Sequence, residues 1–330
     1  MKLASSVLGA VVVAVIAGCG SPPAADPAPQ ASSSASSPSV TPTPSTTASL
    51  LDAQWMGLVP DQPQGWEELN RRITAEFQQF NLRPADETEL PFGCNGCAPW
   101  TVSLTAYAPD ELDLTEARTG RPVSVNADDD GFLREDPDKQ EATLTWQYAD
   151  NAWATVRGRT STTIELDRMV ELAHALQPAA RTPIRLPLSL AHVPVDMPLV
   201  ELSVDNSKYG TRLEFAPCGR TVVSGTEPCM AEGDHMGVQI WPDDGARGHI
   251  QVDSAVPMKI GGLDGLYNDG ANSGGEEAAV QVAPGMLVVF NGPGPAEATH
   301  KLKDILGSGV AFAPEPGNQE TWSAVSDWAK

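Results

Sequence analysis

The residues of this chain with the clearest capacity for covalent chemistry are two cysteines close together. Cys94-Asn95-Gly96-Cys97 sets two sulfurs three residues apart, the spacing at which one thiolate attacks and the second resolves a mixed disulfide. Catalysts of that type hold the pair at the start of a helix. Here Pro99 and a strand-like run follow, and Asn-Gly favours a tight turn between strands. A structural disulfide is therefore the favoured reading, and a thiol-disulfide oxidoreductase using Cys94 and Cys97 is the enzymatic alternative. The five histidines, His174, His192, His235, His249 and His300, are scattered without a His-Glu-x-x-His pair. Neither a Gly-x-Ser-x-Gly elbow nor a phosphate-binding or dinucleotide-binding glycine pattern occurs. With 43 acidic residues, paired carboxylates arise by chance, and no catalytic residue or cofactor is assigned.

Asn126-Ala127-Asp128-Asp129-Asp130-Gly131 resembles the start of an EF-hand calcium loop, which makes Asn126, Asp128 and Asp130 the metal-ligand candidates. The pattern departs at its first position, an Asn, and at its twelfth, Pro137, where a bidentate Glu is required. A polar turn is the favoured reading, so no metal is expected. The N-terminus carries a more specific signal. Lys2 precedes an apolar run from Val7 to Ala17 that is too short for a membrane span, and the run ends in Ile16-Ala17-Gly18-Cys19. This resembles the lipobox of bacterial lipoproteins. The resemblance implies that residues 1–18 are a signal peptide and that Cys19 becomes a diacylglycerol-modified N-terminus. It places the mature chain at the outer face of the cell membrane, where two acyl chains give stable anchoring. Lipidation of Cys19 leaves Cys94, Cys97, Cys218 and Cys229, an even number in an oxidising compartment, and bridges Cys94 to Cys97 and Cys218 to Cys229 are expected.

The rest of the chain must position these groups. Residues 19–49 are almost wholly Ser, Thr, Pro and Ala, a composition that cannot bury enough surface to offset its ordering entropy, so a disordered stalk is expected. The formal net charge of -22 leaves no basic stripe to neutralise phosphates and excludes a nucleic-acid partner. The 29 Pro and 29 Gly among 330 residues point to a turn-rich architecture of about two domains.

A strand–turn–strand pattern occurs twice: Trp146 to Gly158 matches Val280 to Gly292 without a gap, at an offset of 134 residues. The same offset superimposes Gly131 on Gly265 and Tyr107 on Trp241. An ancient duplication follows, with α+β domains over residues 50–182 and 183–312 and a C-terminal tail over 313–330. Each domain is expected to hold an antiparallel sheet with a hairpin followed by a packing helix. The spacing of Leu69, Ile73 and Phe77 predicts a helix over Gly65 to Phe80, and a capping box at Thr162 to Glu165 starts another that ends near Leu176. Weaker helical patterns cover Ala296 to Leu306 and Gln319 to Ala329. With Asp150 and Asn151 in the turn, Tyr148 faces Trp153, which places Leu144, Trp146, Tyr148 and Trp153 on one side. Trp146, Tyr148 and Trp153 are the candidate binding face.

The hairpin of Trp146 to Gly158, with the Thr162 to Leu176 helix after it, resembles a module of two-domain exported lipoproteins from high-GC Gram-positive bacteria. It also resembles extracytoplasmic parts of anti-sigma-type membrane proteins. These resemblances imply a non-enzymatic binding, sensing or scaffold module. Its partners would be the membrane, through the lipid anchor, and an envelope protein or apolar ligand. A carrier of lipid or another apolar ligand is the third reading.

Overall fold

Apolar and polar side chains alternate along most extended runs of this chain, and period two is the signature of strands with one buried face. The computed structural model describes residues 54–58, 65–85, 102–126, 130–138, 141–159, 166–191, 193, 197–205, 210–216, 235–241, 255–270, 275–292, 301–307 and 309–325. The signal peptide, the stalk, Cys19, Cys94, Cys97, Cys218, Cys229, Asp128 and the Thr162 to Glu165 capping box lie outside these residues. Residues 46–330 form one compact unit.

The first half of that unit contains β1 (Met56–Leu58), β2 (Trp66–Thr74), β3 (Phe77–Pro84), β4 (Val102–Tyr107), β5 (Arg121–Val123), β6 (Gly131–Asp136), β7 (Glu141–Ala149) and β8 (Ala152–Arg159), then helix α1 (Leu166–Ala175). Short strands β9 (Leu176–Pro178), β10 (Arg185–Leu186) and β11 (Leu188–Leu190) follow. The second half contains β12 (Leu199–Asp205), β13 (Gly210–Phe215), β14 (Met236–Trp241), β15 (Val256–Ile260), β16 (Leu263–Asn268), β17 (Glu277–Ala283) and β18 (Met286–Asn291), then helix α2 (Leu302–Gly307), β19 (Val310–Phe312) and β20 (Ser323–Ala324).

The expected α+β arrangement of two sheet domains with packing helices is overturned. The described residues are mostly β, and fourteen strands form one antiparallel sheet in the order β15-β16-β17-β18-β14-β13-β12-β2-β3-β4-β8-β7-β6-β5. From the middle outward, β12-β13-β14-β18-β17-β16-β15 repeats β2-β3-β4-β8-β7-β6-β5 strand for strand. The halves meet where β2 pairs antiparallel with β12. Arg72 lies opposite Ser203 at the centre, with Asn70 opposite Asp205 and Thr74 opposite Glu201.

The largest correction is the helix expected over Gly65 to Phe80, which is the β2–β3 hairpin. Spacings of four and eight satisfy a period of two as well as one of 3.6, so Leu69, Ile73 and Phe77 did not discriminate. Thr74 decides the matter locally. Its hydroxyl accepts from the backbone N–H of Glu76 at 3.1 Å and of Phe77 at 3.0 Å, which closes a turn and competes with helical bonding. The C-terminal helix over Gln319 to Ala329 is likewise absent from its described part. A single 3-10 turn at Gln319–Thr321 is followed by β20, which pairs with β10 and carries Val325 to the core.

Two apolar clusters lie on the same side of the sheet. In the first half, Phe80, Leu104, Val156, Leu144 and Leu133 form one cross-strand row over β3, β4, β8, β7 and β6. Met169, Leu172 and Ala173 of α1 join the same cluster. In the second half the row is Leu202, Leu213, Val238, Phe290, Ala278 and Tyr267, joined by Leu302, Ile305 and Leu306 of α2. Burying each of the larger side chains contributes roughly 1.5–3 kcal/mol before chain entropy is subtracted. Ile73 of β2 belongs to the second-half cluster, so the central pairing also shares core residues.

The β7–β8 hairpin departs from the expected register by one residue. Asp150 and Asn151 do form the turn, and Asn151 takes a positive φ of 55°. A bulge between Gln147 and Ala149 then puts Gln147 opposite Trp153 and Trp146 opposite Ala154. Trp146 therefore faces the core with Leu144, while Trp153 stands on the outer side of the sheet against Phe132, ring centroids 6.2 Å apart. The β17–β18 turn has Gly285 at φ 73°, with Val280 opposite Val288. Gly131 and Gly265 occupy matching places, opposite Trp146 and Val280. A Cβ on Gly131 would lie 3.1 Å from the Thr145 carbonyl oxygen, and one on Gly265 would lie 2.7 Å from that of Ala279.

Candidate functional site

The outer side of the first-half sheet carries a cleft of about 330 Å³. Its floor is set by strand register. Arg157, Thr143 and Arg134 form one row across β8, β7 and β6, so a threonine hydroxyl sits between two guanidinium stems. Thr155 and Thr145 form the next row, and Glu141 and Asp136 the row on the other side. Alternation along each strand turns these polar side chains away from the core that Leu144 and Val156 occupy. The segment after β4 forms the wall with Leu112, Asp113, Glu116 and Ala117, and Tyr107 closes one end.

Both arginines are already paired. Arg157 reaches Glu141 at 2.5 Å, and Arg134 is bonded to Glu116, which ties the wall to the floor. The Asp113 carboxyl is held below its ordinary range by the hydroxyl and backbone N–H of Thr115. Burial pushes the Tyr107 phenol above its ordinary value, only partly offset by its hydrogen bond with Thr155 and the nearby Arg157. Tyr148 donates its hydroxyl to the Tyr107 carbonyl at 2.6 Å, fixing the end of β4 against the bulged hairpin. The cleft thus presents donors and acceptors placed by strand register on one side of the sheet, which suits binding.

The matching face of the second half differs. Ala279 and Val289 replace Thr145 and Thr155 at the same pairing positions. With Leu287 they form a small apolar cluster against which Trp241 packs.

Of the residues singled out from sequence, Trp146 is buried, Tyr148 is half-buried beside the same core, and Trp153 lies on the opposite side. They do not form one surface. Trp153 does share a side with the cleft, two residues before Thr155. Asn126 and Asp130 are adjacent: Asp130 accepts from the backbone N–H of Asn126 at 3.1 Å and from its side chain. Burial raises the Asp130 carboxyl, but these bonds and that from the Val125 N–H outweigh it and hold the group below its ordinary range. Among the described residues there is no group of three or more His, Cys, Asp or Glu that could hold a metal ion, and no helix long and apolar enough to cross a membrane. The cleft residues were missed because their signal is a cross-strand row, visible only once register is known.

A second polar cluster lies near the central pairing. Arg72 bonds Glu201 at 2.6 Å, and Arg212 bonds Glu214. Glu214 is 3% exposed and its Oε2 has no hydrogen-bond partner. Burial pushes its carboxyl above the usual range, partly offset by Arg212 and by His235, while Glu201 adds to the rise. A raised folded-state value means that the native state holds this proton more tightly than the unfolded chain. The stabilisation is full below the ordinary glutamate range and is lost as pH rises through the folded value. Glu214→Gln should remove this contribution. Thermal melts over a pH series should show the wild type losing midpoint relative to the variant as pH rises from the ordinary glutamate range, and parallel curves would refute the assignment.

The first-half cleft is thus a candidate site built from described residues, and comparison with known proteins adds no relative to it: no family model, curated protein or solved structure matches this chain.

Proposed function

We propose that this chain is an exported bacterial lipoprotein, anchored at the outer face of the cell membrane through Cys19, that acts non-enzymatically as a binding module. The N-terminal Ile16-Ala17-Gly18-Cys19 run supports the anchor. The observation that carries the binding role is the cleft, built from paired charges and threonine hydroxyls in the first half where the second half has Ala279 and Val289. Its polar lining favours a polar occupant over the apolar ligand expected from the aromatic face. A lipid anchor with a 30-residue Ser/Thr/Pro/Ala spacer, Gly20 to Ser49, would hold such a site within reach of envelope material.

Two measurements test this. The full chain expressed in a bacterial host should take up labelled palmitate and sediment with membranes, and Cys19→Ala should lose both; a variant that stays labelled and membrane-bound would overturn the anchor. For the binding role, the low-molecular-weight fraction of a bacterial envelope extract should raise the unfolding temperature of the full chain. The double variant Thr143→Val with Thr155→Val, which keeps shape and strand preference but removes the hydroxyls, should lose that rise. An extract without effect on the wild type would overturn it.

A further inference from the structure

We infer that the cleft takes a neutral polyhydroxylated ligand, one or two saccharide units, an inference that rests on the binding role proposed above. The volume of about 330 Å³ is at the small end of ligand sites. The chemistry of the lining is more selective than its size. Arg157 and Arg134 are each neutralised by a glutamate, Glu141 and Glu116. An anionic ligand would either break one of these pairs or add a further negative charge to a cleft that already holds four carboxylates against two guanidinium groups. An ammonium would be drawn by the excess of carboxylates over guanidinium groups, yet it too would have to displace an existing contact. Asp113 is turned into its own loop by Thr115, and Asp136 has a partner of its own.

A sugar hydroxyl meets neither obstacle, because it donates and accepts at once. It can give its proton to a carboxylate and accept from the neighbouring guanidinium while the ion pair stays intact. The Thr143, Thr145 and Thr155 hydroxyls offer the same dual capacity from stiff β-branched side chains. Apolar contact for the C–H face of a ring is also at hand. Tyr107 closes one end of the cleft, and the stacked Phe132–Trp153 pair lies on the same side of the sheet, Phe132 directly opposite Thr145. Paired charges, hydroxyls and a flanking aromatic surface therefore agree on one ligand class.

The test is calorimetric titration of the full lipidated chain in a detergent without sugar headgroups. The probes are glucose, galactose, mannose, N-acetylglucosamine and their disaccharides, set against glucuronate, glucosamine and glucose 6-phosphate. At least one neutral sugar should bind tenfold or more tightly than its charged counterparts. Thr143→Val with Thr155→Val should weaken it by tenfold or more, measured well below the variant's own unfolding midpoint, which loss of the Thr155–Tyr107 hydrogen bond lowers. A charged counterpart that binds as tightly as the neutral sugar overturns the saccharide inference and leaves the binding role standing. So does an envelope extract that stabilises the protein while every neutral sugar fails. If neither the sugars nor the extract has any effect, both readings fall together.

Discussion

Trp146→Ala is expected to cost about 3–5 kcal/mol of folding stability, the range for emptying a large aromatic site in a packed core. Trp153→Ala is expected to cost only about 1 kcal/mol, the value of one exposed-side aromatic contact. The two residues flank one turn and look equivalent in the sequence. The difference comes from the bulge between Gln147 and Ala149, which moves Trp146 opposite Ala154 and turns it inward. Trp146 is 2% exposed and shares a cluster with Leu144, Val125, Met169 and Leu172. Truncation would leave a cavity between sheet and α1 that stiff neighbours cannot close. Trp153 meets Phe132 on the far side, with solvent nearby, and its loss leaves no enclosed void. Urea unfolding of both variants measures the contrast. Equal losses would mean that the hairpin takes the unbulged register, with both indoles on one side.

Ser203→Pro is expected to be about as damaging, on the order of 3 kcal/mol or more. Ser203 sits at the middle of β12, opposite Arg72 on one side and Arg212 on the other. Both ladders are in use there, so proline removes an N–H that the sheet requires and brings its ring against a neighbouring strand. The chain itself places prolines where this penalty is absent. Pro122 lies in β5 and Pro257 in β15, the two edge strands, at positions opposite Phe132 and Leu266. Those edges are thereby discouraged from pairing with other chains. The central pairing also brings Ile73 into the second-half core, so its loss should weaken that core beyond the missing hydrogen bond. Hydrogen exchange should show lost protection on β2, β12 and β13 first. Unchanged protection there would argue that the two halves do not depend on their junction.

The repeat offset found in the sequence corresponds to register in the structure with unusual fidelity. Gly131 and Gly265 lie opposite Trp146 and Val280, and Leu104 and Val238 lie opposite Val156 and Phe290. This was legible because turns and glycines are local signals, and because a chain read twice reveals a period that one copy hides. The β2–β3 hairpin was not legible. Leu69, Ile73 and Phe77 fit either period, and the choice was made by Thr74 together with the need of β4 and β12 for partners on both sides. Propensity yields to tertiary pairing in such cases.

The cleft shows the same division. Thr143, Thr145, Thr155, Arg134 and Arg157 are ordinary polar residues at alternate positions of three strands, and nothing in their one-dimensional spacing connects β6 with β8. The sequence by itself determined the turns, the apolar alternation, the repeated hairpin and the lipobox-like N-terminus, because each depends on neighbours within a few residues or on a copy of itself. The tertiary structure alone decided that fourteen of the strands join into a single sheet and which tryptophan is buried. It alone set Arg157, Thr143 and Arg134 side by side, because a cross-strand row depends on register, and one bulged residue shifts register for every position beyond it.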